Sequence, residues 1–464
     1  MRVFGYPLNS CGKSKKADAV MKFCSITLGC KVNQYETQGV ESILISRGHI
    51  RTRLDEDCDV CIINTCAVTA ESARKSRQAV RRAKKLNPGV IVAVCGCFSQ
   101  IDPQTVAALG VDLVGGVGDR RGFALEIEAL VSQGSGVFSG QKDIWQADIR
   151  QADIRQEDSC HSLVFEELPP GGVAGRTRAL LKIQDGCDNR CSYCVIPHAR
   201  GSARSLPVER AAAQAELLDG LGFREIVVTG IEISSYGKDL AGNPALPDVI
   251  RAISAAAPRA RLRLGSLDPG AVSEELCEKL IAIPNVCDHF HLSQQSGCDE
   301  TLLRMGRKYD ANTARQAILS LRRRFPDCGI TADIIVGFPG ETDREFGQTL
   351  EFIKTAMFSG MHVFPYSQRP GTKAACLPDQ VAKDVKRERA RIAAQLAGET
   401  ARAFRTNQIG KTVEVLFESK RNGFWTGHSR NYFEVAVRRG GEKNSIQNVR
   451  LTSTEDDLVW GEII

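Results

Sequence analysis

Short apolar, β-branched runs alternate with stretches of helical periodicity along most of this chain. Between residues 23 and 140 the runs "FCSITLG", "CDVCIINT" and "VIVAVCG" read as strands, with "VDLVGG" (111–116) as a fourth. Residues 36–48 and 71–86 between them read as helices. Such alternation predicts a doubly wound parallel sheet. A second alternating series starts near residue 176, with strands expected at "ALLKIQDG", "EIVVTG", "RLRLGSL", "HFHLSQQ", "ITADIIVGF" and "MHVFPYS". Helices are expected between them at 206–221, 246–256, 272–282, 310–324 and 343–355. Six strand–helix units in about 190 residues predict a partial (β/α)6 barrel rather than a flat sheet. After a charged helix at 380–403 the pattern changes to short strands, "KTVEVLFE", "GFWTGHS" and "YFEVAVR", with Gly and Asn at the turns. Residues 404–464 therefore read as a small all-β, OB-like barrel.

The expected organisation is an α/β chain with an extension at 1–22, domains at 23–140, 176–403 and 404–464, and a linker at 141–175. Met21 precedes the first strand and is a candidate translation start. The linker holds the tandem duplication "QADIRQADIRQ" and the irregular "LPPGG", to which no function is assigned.

Composition narrows the class. A length of 464 residues suits about three domains, and 42% apolar with 25% charged residues is globular. No run approaches the ~20 apolar residues that span a bilayer, and the amino terminus lacks the apolar core of a secretion signal, so the expected location is cytoplasmic and off the membrane. A net charge of +6 permits a polyanionic partner without requiring one. In the carboxy-terminal segment Phe424, Trp425, Tyr432 and Phe433 are available to stack on bases or to fill the barrel core.

The 17 cysteines carry more information, because in a reducing compartment clustered thiols bind metal or do redox chemistry. Cys24, Cys61, Cys277 and Cys328 lie in or beside apolar runs and read as small core residues. Cys30, Cys66 and Cys97 each end one of the first three strands. Ligands bind outside the carboxyl ends of strands in open α/β sheets, so these thiols can converge there, with coincidence as the alternative. In "GCDNRCSYCVIPHARG" (186–201), Cys187, Cys191 and Cys194 stand at C-x3-C-x2-C spacing after the first strand of the second series. Thiolates suit iron–sulfur clusters and zinc. Three of them leave one metal position open, where a reacting molecule can bind. A closed zinc site with nearby His198 is the rival reading, although this spacing is uncommon for zinc.

"CDNRCSYC" resembles the signature of radical S-adenosylmethionine enzymes. In that family the amino and carboxylate groups of S-adenosylmethionine chelate the fourth iron of a 4Fe-4S cluster. Reductive cleavage then yields a deoxyadenosyl radical. The resemblance implies that Tyr193 packs near the adenine, and that "VVTG" with Gly230 and "ADIIVGFPGET" with Gly337 approach the cofactor. "TLGCKVNQYET" (27–37), "NTCAVT" (64–69) and "CGCFSQ" (95–100) are similar to the three cysteine motifs of the methylthiotransferases. "HLSQQSGCDETLLRMGRKY" and "YSQRPGTKAA" continue the likeness, and the carboxy-terminal module resembles the RNA-binding TRAM domain. Where the family commonly has "TGC", "PLQSG" and "TGIHLGSYG", this chain has "CGC", "SQQSG" and "TGIEISSYG". A spare thiol, Cys95, thus stands two residues before Cys97, and the likeness to the family motif favours Cys97 as the ligand.

The resemblance implies two 4Fe-4S clusters. Cys187, Cys191 and Cys194 would hold the radical cluster, and Cys30, Cys66 and Cys97 a second one that carries the sulfur to be donated. S-adenosylmethionine would be both radical source and methyl donor, and an external electron donor would reduce the cluster. The implied substrate is the adenosine beside the anticodon of tRNA, modified at C2, with the base leaving its stack to be reached. "GCKVNQYET" and "YCVIPHARG" are most similar to the threonylcarbamoyladenosine branch. The isopentenyladenosine branch, the branch acting on a ribosomal-protein aspartate and a non-catalytic iron–sulfur RNA-binding protein are the alternatives. The basic segment "ESARKSRQAVRRAKK" (71–85) is either a phosphate contact or a solvated helix face.

Overall fold

The computed structural model describes residues 20–132, 164–169 and 177–464. Residues 1–19 and the duplication at 146–155 lie outside them. The first unit is a five-stranded sheet of β1 (Lys22–Thr27), β2 (Ile50–Arg51), β3 (Val60–Thr65), β4 (Ile91–Gly96) and β5 (Leu113–Val114). Its order is β2-β1-β3-β4-β5 and every neighbouring pair is parallel. This is a doubly wound sheet whose strand order reverses between β1 and β3, the place where such folds bind ligands. Helices Lys31–Ser46 and Arg120–Ser132 cover one face and helix Ala70–Leu86 the other. The mainly apolar strands β3 and β4 are buried from both sides.

The first helix begins at Lys31, immediately after Cys30, five residues earlier than its apolar pattern indicates. The early turns are polar yet buried, because Asn33, Glu36, Thr37 and Glu41 find partners inside the protein or at its junctions. Strand β2 and the short helices Cys97–Ile101 and Pro103–Ala107 were also invisible to periodicity, being too short to show one.

The second unit carries six parallel strand–helix repeats. Strand β6 (Arg178–Lys182) is followed by a two-stranded ribbon of β7 (Gln184–Asp185) and β8 (Arg204–Ser205), then β9 (Glu225–Thr229) and β10 (Arg261–Leu264). Strands β11 (Ser266–Leu267), β12 (His289–Gln295), β13 (Gly329–Val336) and β14 (Gly360–Pro365) complete it. One sheet runs β10-β9-β6 and the other β11-β12-β13-β14, so the expected third strand is split at Gly265 and a Leu262–Val286 bridge joins the halves. Strands β6 and β14 do not pair, which makes this a partial barrel with one open flank. Its helices, Val208–Gly220, Leu246–Ala256, Glu274–Ile281, Ala311–Arg324 and Asp343–Ala356, bury apolar faces against the outside of the strands.

The linker reading changes at residues 164–169, which dock at the junction of the two units. Leu168 is buried, its carbonyl accepts from Tyr35 Oη at 3.2 Å, and Glu167 pairs with Arg210 at 2.9 Å. Helix Lys383–Thr406 packs along β14 and leads to a closed five-stranded barrel, β15 (Thr412–Arg421), β16 (Phe424–Ser429), β17 (Glu434–Val437), β18 (Ile446–Glu455) and β19 (Leu458–Ile463). This barrel docks on the amino-terminal ends of the second unit's strands. Arg261 and Arg263 donate to the main-chain carbonyls of His428, Ser429 and Arg430. Among the described residues no helix is long and apolar enough to cross a membrane.

The aromatic residues of the small barrel divide by position. Phe433 is core and Trp425 packs against that core. Tyr432 is turned inward, with its ring 4.5 Å from His289, 5.0 Å from His428 and 4.6 Å from the Arg263 guanidinium, so it belongs to the docking interface. Phe424 stands edge-on to Trp460 at 5.0 Å on the barrel exterior, which leaves that pair as the aromatic surface of the module.

Candidate metal centres

Two sets of cysteines stand at carboxyl ends of strands, one on each α/β unit. The loop after β7 carries Cys187, Cys191 and Cys194 into a cavity of about 180 Å³. Its walls also include Tyr193, Glu232, Asp268 and Arg307. The loop is pinned from both sides. Cys187 N–H donates to Gly201 O at 3.0 Å, and Ser192 N–H donates to Met305 O at 2.9 Å. Burial pushes the Cys187 thiol up to about 12 and the Cys194 thiol to about 11, so metal would have to displace their protons.

Tyr193 stands edge-on to Phe338 at 6.4 Å, at the rim of a small aromatic cluster with Tyr366. Gly230 does not itself line the cavity. A Cβ there would meet Gln184 O at 2.9 Å, and the tight packing aims the following Ile231 and Glu232 at the thiols. Gly337 lies further off. It adopts a left-handed φ of 68° where a Cβ would strike Lys386 Cγ at 2.4 Å, so packing against helix Lys383–Thr406 accounts for this glycine. Glu232 accepts from Ser234 N–H at 3.0 Å and Asn189 Nδ2 at 3.2 Å, and burial, then the Asp268 charge, raises its carboxyl above the ordinary range.

Arg307 was not singled out by sequence reasoning, although it lies in a quoted motif. Its Nη1 donates to Cys191 Sγ at 3.3 Å and its Nη2 to Asp268 at 2.7 Å. A charged donor on one cysteine sulfur fixes that sulfur in place. Only the neighbouring chain, folded, shows which sulfur it reaches.

The second set is assembled across the switch point of the first sheet. Cys30 caps helix Lys31–Ser46, Cys66 follows β3 and Cys97 opens the short helix after β4. Asn33 Nδ2 donates to Leu28 O at 2.8 Å and to Thr65 O at 3.0 Å, which ties the first two loops together. Close backbone approach does the rest. A Cβ on Gly29 would lie 2.8 Å from Cys66 Cβ, and one on Gly96 would lie 2.4 Å from Thr65 O. Cys66 and Cys97 are 5% and 2% exposed, whereas Cys30 opens to solvent. Burial raises all three thiols, and the charge of Arg200 opposes it at each. Cys95 faces the opposite side of β4, in the core under helices Lys31–Ser46 and Arg120–Ser132, while Cys97 packs with Phe98 and Val195.

The two sets are neighbours. Helix Ile196–Arg200, directly after the Cys194 loop, packs on helix Cys97–Ile101, and Cys97 and Cys194 feel one another's charge. Neither set has the spacing of a single ion. Zinc holds sulfur at about 2.3 Å, which draws its ligands close together. Among the described residues the one group of three Cys, His, Asp or Glu ligand atoms within 4.8 Å of each other is Cys298, Glu300 and Glu345. Its carboxylates are already engaged by Arg344 at 2.7 Å and Arg304 at 2.6 Å. His198 is exposed.

The fourth buried feature lies between the sets. Arg200, fully buried, pairs with Glu36 at 2.7 Å and Asp185 at 3.0 Å and donates to Asn33 at 2.8 Å. Arg120 pairs with Glu36 at 2.8 Å, and Lys182 with Asp185 at 3.0 Å. Burial would raise the Glu36 carboxyl, but Arg200, Arg120 and Lys182 hold it well below the usual range.

Comparison with known proteins agrees with this architecture. Residues 181–353 match the family described as the Radical SAM superfamily, and residues 22–116 match the Uncharacterized protein family UPF0004. The threonylcarbamoyladenosine tRNA methylthiotransferase MtaB of Bacillus subtilis is 35% identical, covering 89% of this chain and 89% of its own. The protein of the same name from Thermotoga maritima is 33% identical, covering 94% and 98%. A tRNA-2-methylthio-N(6)-dimethylallyladenosine synthase from Pelotomaculum thermopropionicum is 33% identical, covering 88% and 90%. Among solved structures, the radical S-adenosylmethionine methyltransferase TsrM of Kitasatospora setae superposes with a TM-score of 0.51 at 16% identity, covering 76% of this chain and 75% of that one. That likeness is one of fold.

Proposed function

The chain belongs to the methylthiotransferase family of radical S-adenosylmethionine enzymes, and on that premise we propose that it installs a methylthio group at C2 of N6-threonylcarbamoyladenosine beside the anticodon of tRNA. The observation that carries the reading is the pair of neighbouring three-thiol sets, each at the carboxyl edge of its own α/β unit. When bound, a cluster with S-adenosylmethionine on its open iron supplies a deoxyadenosyl radical, and a second cluster supplies the sulfur. Cys187, Cys191 and Cys194 would hold the first, with Arg307 fixing Cys191 and Tyr193 beside the adenine. Glu232 and Asp268 offer carboxylate acceptors on the cavity wall to the hydroxyl and amino groups of S-adenosylmethionine. Cys30, Cys66 and Cys97 would hold the second cluster. The wall between the sets, Val195, Ile196 and Ala199, is one short helix thick, as transfer to a single carbon requires.

The choice of substrate rests on the relatives named for threonylcarbamoyladenosine and on Lys31. This lysine follows Cys30, has an exposed surface and makes no ion pair among the described residues; burial lowers its pKa, and Tyr432, Arg263, Arg178 and Glu225 stand within its electrostatic reach. An anionic group would be welcome there, and the threonylcarbamoyl substituent carries a carboxylate. For the tRNA backbone, helix Ala70–Leu86 buries Ala73, Ser76, Val80 and Ala83 and turns Arg81, Arg82 and Lys85 to solvent. An external electron donor completes the reaction.

Anaerobic reconstitution should give about eight iron atoms per chain. The Cys30→Ala/Cys66→Ala/Cys97→Ala variant should keep half of them together with reductive cleavage of S-adenosylmethionine. Full iron in that variant would remove the second cluster. For the substrate, mass analysis of tRNA nucleosides from a deletion strain should lose the methylthio group on threonylcarbamoyladenosine. Loss from isopentenyladenosine instead, or unchanged tRNA with an altered ribosomal-protein aspartate, would move the chain to another branch.

A further inference from the structure

Between the two thiol sets lies a charge imbalance. Arg120, Lys182 and Arg200 are fully buried, and the Arg204 side chain is 11% exposed; it reaches Asp185 at 3.3 Å. Against these four cations stand two buried carboxylates, Glu36 and Asp185. Half-buried Glu166, which accepts from Arg120 N–H at 2.6 Å, makes a third at the margin. The cations therefore exceed the carboxylates even when Glu166 is counted. Uncompensated buried charge is strongly unfavourable, so a network of this kind calls for an anion beside it.

The neighbouring groups show where that anion belongs. Arg200 Nη2 donates at 2.8 Å to Asn33 Oδ1, the same oxygen that accepts from Cys30 Sγ at 3.8 Å, and the helix ending in Arg200 packs on the short helix that Cys97 opens. Arg200 spends both terminal nitrogens on Glu36, Asp185 and Asn33, yet its Nε is buried without a hydrogen-bond partner. Buried donors are rarely left unsatisfied, and a sulfur of the adjacent site is a suitable acceptor. A four-iron cube on three thiolates carries about one net negative charge when oxidised and one more when reduced. That matches the excess.

We propose that Arg200, seated between Glu36 and Asp185, is the fixed positive counter-charge of the second cluster and sets its reduction potential, with Glu36 tempering that charge. Arg200 is a positioning residue: it adjoins the thiol set through Asn33 and touches neither substrate nor S-adenosylmethionine. The arrangement places the adjustment on the ion pair that also joins the two units, since Glu36 belongs to the first and Arg200 and Asp185 to the second. The proposal rests on the two-cluster reading above.

The test uses the full chain in a Cys187→Ala/Cys191→Ala/Cys194→Ala background, so that the second cluster alone reports. Iron is counted first. Loss of all iron in that background would overturn the two-cluster reading itself. With about four irons retained, the cluster is titrated with a reductant and followed by electron paramagnetic resonance. Arg200→Met should disfavour the reduced form at least tenfold, a shift of about 59 mV to more negative potential for one electron. Glu36→Gln should shift it in the opposite direction, and Arg200→Lys should restore most of the parent value. A merely structural role would loosen the cluster in both variants and move both potentials alike. Unchanged potentials with iron intact, or shifts of the same sign, would overturn the proposal. If Arg200→Met fails to fold, the sign of the Glu36→Gln shift decides.

Discussion

Replacing Glu225 with Gln should loosen the carboxy-terminal barrel from the radical unit without touching either thiol set. Glu225 is fully buried at the start of β9, where it accepts from Arg261 Nε at 2.6 Å and from Arg263 Nε and Nη2 at 2.8 and 2.9 Å. The same guanidiniums donate onward to the carbonyls of His428, Ser429 and Arg430, so the carboxylate orients the two arms that grip the small barrel. Removing one member of a buried ion pair costs about 3–5 kcal/mol. Here the amide still accepts one hydrogen bond and the arginines keep their main-chain partners, so the lower end, about 3 kcal/mol, is expected. At about 1.4 kcal/mol per tenfold, peptides spanning 424–437 should exchange amide hydrogens roughly 100-fold faster. Peptides around Cys187 and Cys66 should exchange as in the parent. The arginines hold the Glu225 carboxyl well below its usual range against the pull of burial. A depressed carboxylate contributes stability above its unfolded pKa and loses it as pH falls through the folded one. The parent interface should therefore hold at neutral and mildly acidic pH and open only in strong acid. Exchange at 424–437 within threefold of the parent, or loss of reconstituted iron, would refute the reasoning.

Cys95→Ala should leave about eight irons per chain after reconstitution, because Cys95 faces the core on the far side of β4; loss of half would make it a ligand. Lys31→Gln should raise KM for tRNA carrying threonylcarbamoyladenosine at least tenfold and leave uncoupled cleavage of S-adenosylmethionine unchanged, as steady-state kinetics would measure. An equal loss in both would assign Lys31 to cluster binding instead. Arg81→Gln/Arg82→Gln/Lys85→Gln should reduce the salt slope of tRNA affinity by about two, measured by titration at several ionic strengths. An unchanged slope would make that helix face merely solvated.

Much of the α/β framework was legible because it depends on apolar runs. Strands β3, β4 and β12 to β14 and helices Leu246–Ala256 and Ala311–Arg324 fall within a residue or two of their patterns. The six cysteines were legible because strand ends and a short loop carry them. What escaped was polar. Helix Lys31–Ser46 buries Glu36 only because Arg120 and Arg200, from distant parts of the chain, are there to meet it. Arg307 carries no sign in the sequence that it will reach Cys191. Tyr432 offered two readings in sequence and took a third, inside an interface that exists only once both barrels have formed. A polar side chain is placed by its partners, and partners far along the chain leave no periodicity behind.

The two thiol sets differ in how much chain each needs. One lies within residues 187–194 of a single loop, while the other is drawn from three strand ends between residues 30 and 97. On the assignment proposed here, the first can take up iron as soon as its loop emerges and can give it up through local opening. The second exists only after strands β1, β3 and β4 have paired, and metal binding there is inseparable from folding. The two sites therefore differ in what losing iron requires: one can empty by opening a loop, the other only by parting three strands.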